Sequence, residues 1–291
     1  MGNFAFFDFH EYKARLKGLY VNKGSLDQVR YVLAVAAGKG GVGKSTVAVN
    51  LALFLQKSGY QVGIFDADIY GPSLGVMMPL EGPMQVGEEI IPGQFHGVQA
   101  FSLAYASCEG RFVRAPVANG LILQCLDSIQ WKELDYLIVD FPPGTGDIQL
   151  TLMQNLSFAG AVLVTTPQEV AVQDVRKAAH MFFRMGIPVV GVIENMSYFE
   201  DPIAGTKTRV FGEGGGMKIA AEFGIPLLGQ IPISQDISRL GDLGFSWVSG
   251  GVQQEIQLFE DIVQTIRDTL FLWEQHQKDR FVEYVWKEMD R

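Results

Sequence analysis

Two lysines and four glycines fall within nine residues, Gly38-Lys39-Gly40-Gly41-Val42-Gly43-Lys44-Ser45-Thr46. The run satisfies the phosphate-loop pattern G-x-x-x-x-G-K-[ST] and adds a lysine directly after the first glycine. Without Cβ atoms in the way, successive backbone N–H groups can curl around phosphate oxygens. Lys44 supplies a point charge to the β and γ phosphates, and the Ser45 hydroxyl can ligate Mg²⁺. Nucleoside triphosphate binding is the chemistry this spacing predicts. Carboxylates suited to the same chemistry follow in Asp66-Ala67-Asp68 and in Val139-Asp140-Phe141-Pro142-Pro143-Gly144-Thr145-Gly146-Asp147. Phosphoryl transfer needs mainly positioning and charge neutralisation, so one carboxylate for the metal and another to orient the attacking water would complete a site. Asp140 reads as the metal carboxylate, with Ser45 and Asp66 completing the expected Mg²⁺ set. Asp68 either orients water or caps the turn before Ile69-Tyr70-Gly71-Pro72-Ser73.

These groups must be held by a scaffold, and the flanking sequence supplies one. Tyr31 to Ala37 is an apolar, β-branched run before the glycine loop, and Ser45 to Lys57 reads as a helix after it. Further short apolar runs, Gln61 to Phe65, Tyr136 to Val139, Gly160 to Thr165, Pro188 to Ile193 and Pro226 to Ile231, alternate with helical stretches at Leu150 to Asn155, Asp174 to Met185 and Met217 to Phe223. Strands buried on both faces and separated by helices predict an α/β fold with a doubly wound, mostly parallel sheet. Ligands in such sheets sit at the carboxyl ends of strands, where the glycine loop, Asp66 and Asp140 all fall. From Gly71 to Trp131 the sequence is rich in Gly, Pro and Met and divides into no regular elements. Val252, Ile256, Phe259, Val263, Ile266, Leu270 and Trp273 recur at the spacing of one helix face. The expected organisation is an N-terminal extension over 1–30, a nucleotide-binding domain over 31–273 and a tail helix over 274–291.

With 291 residues, nearly half of them apolar, the chain can bury a large core. A net charge of −9 and no long basic run argue against a dedicated nucleic-acid surface. The tail carries four basic and four acidic residues from Lys278 to Arg291, poor bait for anionic lipid, so a docked helix or partner contact is expected instead of a membrane anchor. The apolar start, Met1 to Phe9, is broken by Asp8 and lacks the form of a signal peptide, so the expected location is the cytoplasm. Cys108 and Cys125, the only cysteines, have no C-x-x-C spacing and read as buried small hydrophobes.

The motifs together resemble a known family. Gly38 to Thr46 is similar to the deviant Walker A of the nitrogenase iron protein, MinD and ParA superfamily. Within it, Asp66 to Ser73, Leu134 to Asp147, Thr165 to Ala178, Gly191 to Phe199 and Phe211 to Gly216 resemble the Mrp (ApbC) family of ATPases. The resemblance runs from about Val32 to Gly244. It implies a Mg²⁺-dependent ATPase acting as a homodimer, in which Lys39 reaches the partner's phosphates and Asn195 contacts adenine. The implied catalytic set is Lys39, Lys44, Asp68 and Asp140, and the nucleotide-binding set is Gly38 to Thr46 with Asn195. It also implies an iron–sulfur cluster as cargo, with cluster-assembly or client proteins as partners.

One departure bears on that cargo. Cluster-bearing members read M-S-Y-F-x-C-P-x-C-G, and two such C-x-x-C pairs hold a cluster across the dimer. Here the segment is Met196-Ser197-Tyr198-Phe199-Glu200-Asp201-Pro202-Ile203-Ala204-Gly205. Asp201 and Ala204 stand where the ligand cysteines would, and alanine has no donor atom. The sequence therefore predicts an ATPase core unable to hold a cluster at that place. A MinD- or ParA-like spatial switch is the alternative, against which the acidic chain and balanced tail weigh.

Overall fold

A computed structural model describes residues 26–82, 84–86, 89–105, 115–201, 203–245 and 247–289. The N-terminal extension lies outside them, apart from a turn at Leu26–Gln28 and the first residues of a strand. The reading of Cys108 also falls outside.

Alternating sides of one strand show how the layers arise. In β1 (Val29–Ala37), Leu33, Val35 and Ala37 enter one apolar cluster and Val32, Ala34 and Ala36 the other. A strand apolar on both faces must be covered on both, which the helices do. The chain continues through α1 (Lys44–Lys57), β2 (Val62–Asp66), α2 (Leu74–Met77), β3 (Gln85–Val86), β4 (Ile90–Ile91), β5 (Gly93–Phe95) and β6 (Val98–Phe101). Next come α3 (Ala115–Ser128), β7 (Leu134–Asp140), α4 (Asp147–Asn155), β8 (Gly160–Thr165), α5 (Glu169–Arg184) and β9 (Val189–Glu194). The last elements are β10 (Phe199–Glu200), β11 (Lys207–Thr208), α6 (Gly215–Phe223), β12 (Leu227–Gln230), α7 (Gln235–Asp242), α8 (Trp247–Gly250) and α9 (Gln253–Met289). Residues of α1 and α9 cover one face; residues of α3, α4, α5 and α6 cover the other.

Among the described residues the main sheet has the order β12-β9-β8-β1-β7-β2-β6-β5. Every neighbouring pair is parallel except β5 with β6. The doubly wound, mostly parallel α/β sheet expected from the sequence is thus the fold. Register sets the functional edge: Asp66 pairs with Asp140, and Thr165 with Glu194, at the carboxyl ends of their strands.

The stretch that resisted division, Gly71 to Trp131, contains the short strands β3 to β6 and the helices α2 and α3. Strands of two to four residues are too short to display an alternation. The helix face seen near the C-terminus holds for Ile256, Phe259, Val263, Ile266 and Leu270, all buried, with Phe259 stacked on Phe54 of α1. Val252 departs from it: it precedes α9 and is exposed. The helix runs unbroken to Met289. Cys125 is buried in α3, as expected. No helix among the described residues is long and apolar enough to cross a membrane.

Candidate functional site

The turn from β1 into α1 has the form an anion requires. Gly41 and Gly43 adopt φ of 79° and 78°, the left-handed region that a Cβ disfavours. No side chain caps the N-terminus of α1 and no acidic residue lies in its first turn. Its early N–H groups and the positive end of its dipole are therefore available to phosphate. Two glycines have a packing reason besides. A Cβ on Gly38 would lie 2.0 Å from the carbonyl carbon of Asp174 in α5, and one on Gly43 would lie 2.2 Å from Asn195 Nδ2.

Beneath the loop, Lys44 Nζ pairs with Asp140 Oδ1 and donates to Ser45 Oγ at 3.1 Å. Both members of the ion pair are buried, the aspartate fully. Burial pushes the Asp140 carboxyl above the usual range, against the pull of Lys44 and Ser45. Its second oxygen, Oδ2, is buried and accepts no hydrogen bond. An orphaned carboxylate oxygen next to the Ser45 hydroxyl suits Mg²⁺, which takes one or two protein ligands plus phosphate oxygens and water.

Asp66 is differently occupied. Its Oδ1 accepts from Asp68 N at 3.0 Å, and its Oδ2 from Ser102 Oγ at 2.9 Å and Leu74 N at 3.5 Å. Of the expected metal set, Asp140 and Ser45 have the better-placed oxygens, while Asp66 ties the start of α2 to the edge of the sheet. Ser102 belongs to no motif and could not be picked out in advance. Pairing of β6 with β2 puts it there. Asp68 accepts from Gly71 N at 3.2 Å, the turn-capping contact considered from the sequence. Lys39 is half-buried and makes no hydrogen bond or ion pair among the described residues.

The Asp66 carboxyl is pushed up to about 6, first by burial and then by the charge of Asp140. A carboxyl whose pKa is higher folded than unfolded binds its proton more tightly in the native state, so stability falls as pH rises from about 4 to about 6 and levels off above. In the nucleotide-free protein, Asp66→Asn is expected to be more stable than the parent by on the order of 1–3 kcal/mol at neutral pH. That advantage should fade towards pH 4. Thermal denaturation across pH 4–8 checks it, and an advantage independent of pH would refute it.

Asn195, just past β9, donates from Nδ2 to the Val42 carbonyl at 2.9 Å. It lines a cavity of about 600 Å³ together with Gly43, Thr46, Phe199, Phe211, Ile233 and Ile237. The cavity reaches the phosphate loop at Gly43 and Thr46, and Lys44 and Asp140 lie buried beneath that loop. Glu194, the neighbour of Asn195, belongs to no phosphate or metal motif and is fully buried. Its only signal was an acidic residue closing an apolar strand.

Asp201 and Ala204 lie on the turn between β10 and β11. Asp201 Oδ1 accepts from Ile203 N and Ala204 N, each at 2.8 Å, and Gly205 N donates to the Asp201 carbonyl at 2.8 Å. Those two N–H groups hold the carboxyl below the usual carboxylate range. The carboxylate closes its own turn. Among the described residues, no group of three or more His, Cys, Asp or Glu is placed to hold a metal, and neither Asp201 nor Ala204 is a thiolate donor.

Comparison with known proteins shows the family. Residues 28–267 match the ParA family described as NUBPL iron-transfer P-loop NTPase. The chain is 44% identical over 241 residues to an iron-sulfur cluster carrier protein of Pseudomonas fragi, covering 81% of this chain and 82% of that one. It is 43% identical to a chloroplastic Fe-S cluster assembly factor of Oryza sativa, of which it spans 44%. Among solved structures, a nucleotide-binding protein from Archaeoglobus fulgidus in complex with ADP is 39% identical, with a TM-score of 0.66 over 81% of this chain and 90% of that one. The cell division ATPase MinD of Pyrococcus furiosus, 19% identical with a TM-score of 0.60 over 82% of this chain and 98% of that one, shares the fold. With a phosphate loop at the end of β1 and a family match over most of its length, the chain belongs to the iron-transfer P-loop NTPases of the ParA superfamily.

Proposed function

We propose that this protein binds and slowly hydrolyses MgATP as a homodimer and serves iron–sulfur trafficking as an ATP-dependent scaffold, without holding a cluster at the β10–β11 turn. The buried Lys44–Asp140 pair beneath an uncapped helix N-terminus carries the reading. With no phosphate present, the two charges neutralise one another. Triphosphate offers Lys44 a more highly charged partner, and its withdrawal releases Asp140 towards the metal position. Ser45 and Asp140 would hold Mg²⁺, which supplies neutralisation of the β and γ oxygens. Asn195 and the adjoining cavity take the nucleoside. Asp68, at the start of the turn after β2, orients the attacking water once that turn rearranges.

Dimerisation is supported by Lys39, whose ammonium has no partner among the described residues of its own chain, and by exposed apolar side chains in the turn after β2, in the first turn of α5 and in the β10–β11 turn. Tyr70, Val170 and Ile203 are 59%, 65% and 97% exposed. Such residues gain from burial against a second copy. Relatives named as cluster carriers support the trafficking role. The cytoplasm is the compartment that fits Cys125, a buried cysteine outside any disulfide.

Reconstitution with iron and sulfide under anaerobic conditions tests the scaffold reading. After desalting, no stable iron–sulfur absorbance is expected, because a cluster of four irons wants four thiolates and this turn supplies none. Asp201→Cys with Ala204→Cys should gain cluster binding. Stoichiometric iron and sulfide in the parent, lost in a Cys108→Ser, Cys125→Ser variant, would show a carrier using a different site.

A further inference from the structure

A fully buried carboxylate needs a reason, because taking its charge out of water is costly unless donors replace the solvent. Glu194 has three such donors, each from a different segment. Its Oε1 accepts from Ser197 Oγ at 2.6 Å and from Gln230 Nε2 at 2.7 Å, and its Oε2 accepts from Gly216 N at 2.6 Å. Ser197 lies in the turn that begins with Asn195, Gln230 ends β12, and Gly216 lies in the first turn of α6. The same segments go on to wall the nucleoside cavity: Asn195 and Met196 from the first, Pro232 and Ile233 after the second, and Phe211 before the third. The backbone tightens the node further, since Ile231 N donates to the Glu194 carbonyl and Ser197 N to the Ile231 carbonyl, each at 2.9 Å.

We infer that Glu194 is a positioning residue for the nucleoside end of the site, its carboxylate fixing three cavity walls relative to the phosphate loop. The inference rests on the nucleotide reading above and deepens it. Glu194 itself does not line the cavity, and its influence passes through the wall residues carried by its donors' segments, Met196, Ile233 and Phe211. Phosphate contacts depend on the loop and α1, whereas the hydrogen bonds of the Glu194 carboxylate and carbonyl among the described residues go to Ser197, Gly216, Gln230 and Ile231. Loss of Glu194 should therefore weaken recognition of the nucleoside and spare that of the phosphates.

The test compares ATP with inorganic tripolyphosphate, each with Mg²⁺, by titration calorimetry. Glu194→Ala leaves the Gly216 N–H and its companions without an acceptor. It is expected to lose about tenfold in ATP affinity while tripolyphosphate affinity changes less than about twofold. Glu194→Gln should recover most of the loss, because its carbonyl oxygen can still accept from Gly216 while its amide donates to Ser197 and to a turned-over Gln230. Equal losses for both ligands, no loss for either, or a glutamine variant as weak as the alanine one would overturn the inference. If Glu194→Ala does not fold, Gln230→Ala removes a single donor, and an ATP-selective loss of several-fold is expected; unchanged selectivity refutes the role. A parent protein that binds neither ligand would instead sink the nucleotide reading itself.

Discussion

Lys39→Ala is expected to leave ATP bound and to slow its hydrolysis by as much as about 10³–10⁵-fold, the range of a charge delivered to the transferring phosphate from outside the loop. The loop already has Lys44 for its own phosphates, and that lysine is buried in an ion pair. Lys39 has no such employment among the described residues. A cation held on the surface of one subunit is suited to neutralising charge that develops on the γ-phosphate of another. Its loss should fall on turnover and spare ground-state affinity. Mixing Lys39→Ala subunits with subunits that bind no ATP supplies a sharper check, since activity in the mixed dimer depends on which subunit supplies the lysine. Full turnover by the single variant would remove the basis for a catalytic dimer.

Lys44→Ala is expected to weaken ATP binding about a hundredfold or more, the loss of a strong charge-assisted contact to the phosphates. The same substitution disturbs the nucleotide-free protein, because Asp140 is fully buried and would keep neither its ion pair nor water. Breaking a buried pair from one side is strongly destabilising. The raised pKa of Asp140 limits the damage by letting the carboxyl take a proton. Adding Asp140→Asn to Lys44→Ala should restore thermal stability without restoring binding. Calorimetry with ATP on both variants, beside their melting curves, distinguishes a lost phosphate contact from a misfolded loop. A double variant that regains affinity would move the role of Lys44 from the phosphates to the fold.

The Asp201 turn illustrates how far residue identity reaches. Absence of the cysteines was visible in the segment itself, because a missing thiolate needs no coordinates to be noticed. What stands in its place was not visible. The Asp201 carboxylate gathers the N–H groups of Ile203 and Ala204, so Asp201→Cys removes the acceptor that closes this turn at the same time as it supplies sulfur. Gly38 makes a similar point. The motif gives it to the phosphates, whereas the backbone of α5 at Asp174 leaves no space for a Cβ.

Local patterns were enough to locate the phosphate-loop motif, the parallel strands around it and the carboxylates that end β2 and β7. A glycine run sets its own turns, an unbroken apolar strand must lie between two layers, and an aspartate after such a strand must emerge at its carboxyl end. Which groups meet there follows only from the folded chain. Asn195 reaches Val42 across 153 positions, Lys44 reaches Asp140 across 96, and Ser102 reaches Asp66 across 36. Glu194 gained its three donors only when the turn after β9, the end of β12 and the start of α6 came together. Such contacts depend on strand order and register, which emerge from packing the whole sheet. No window of residues contains them.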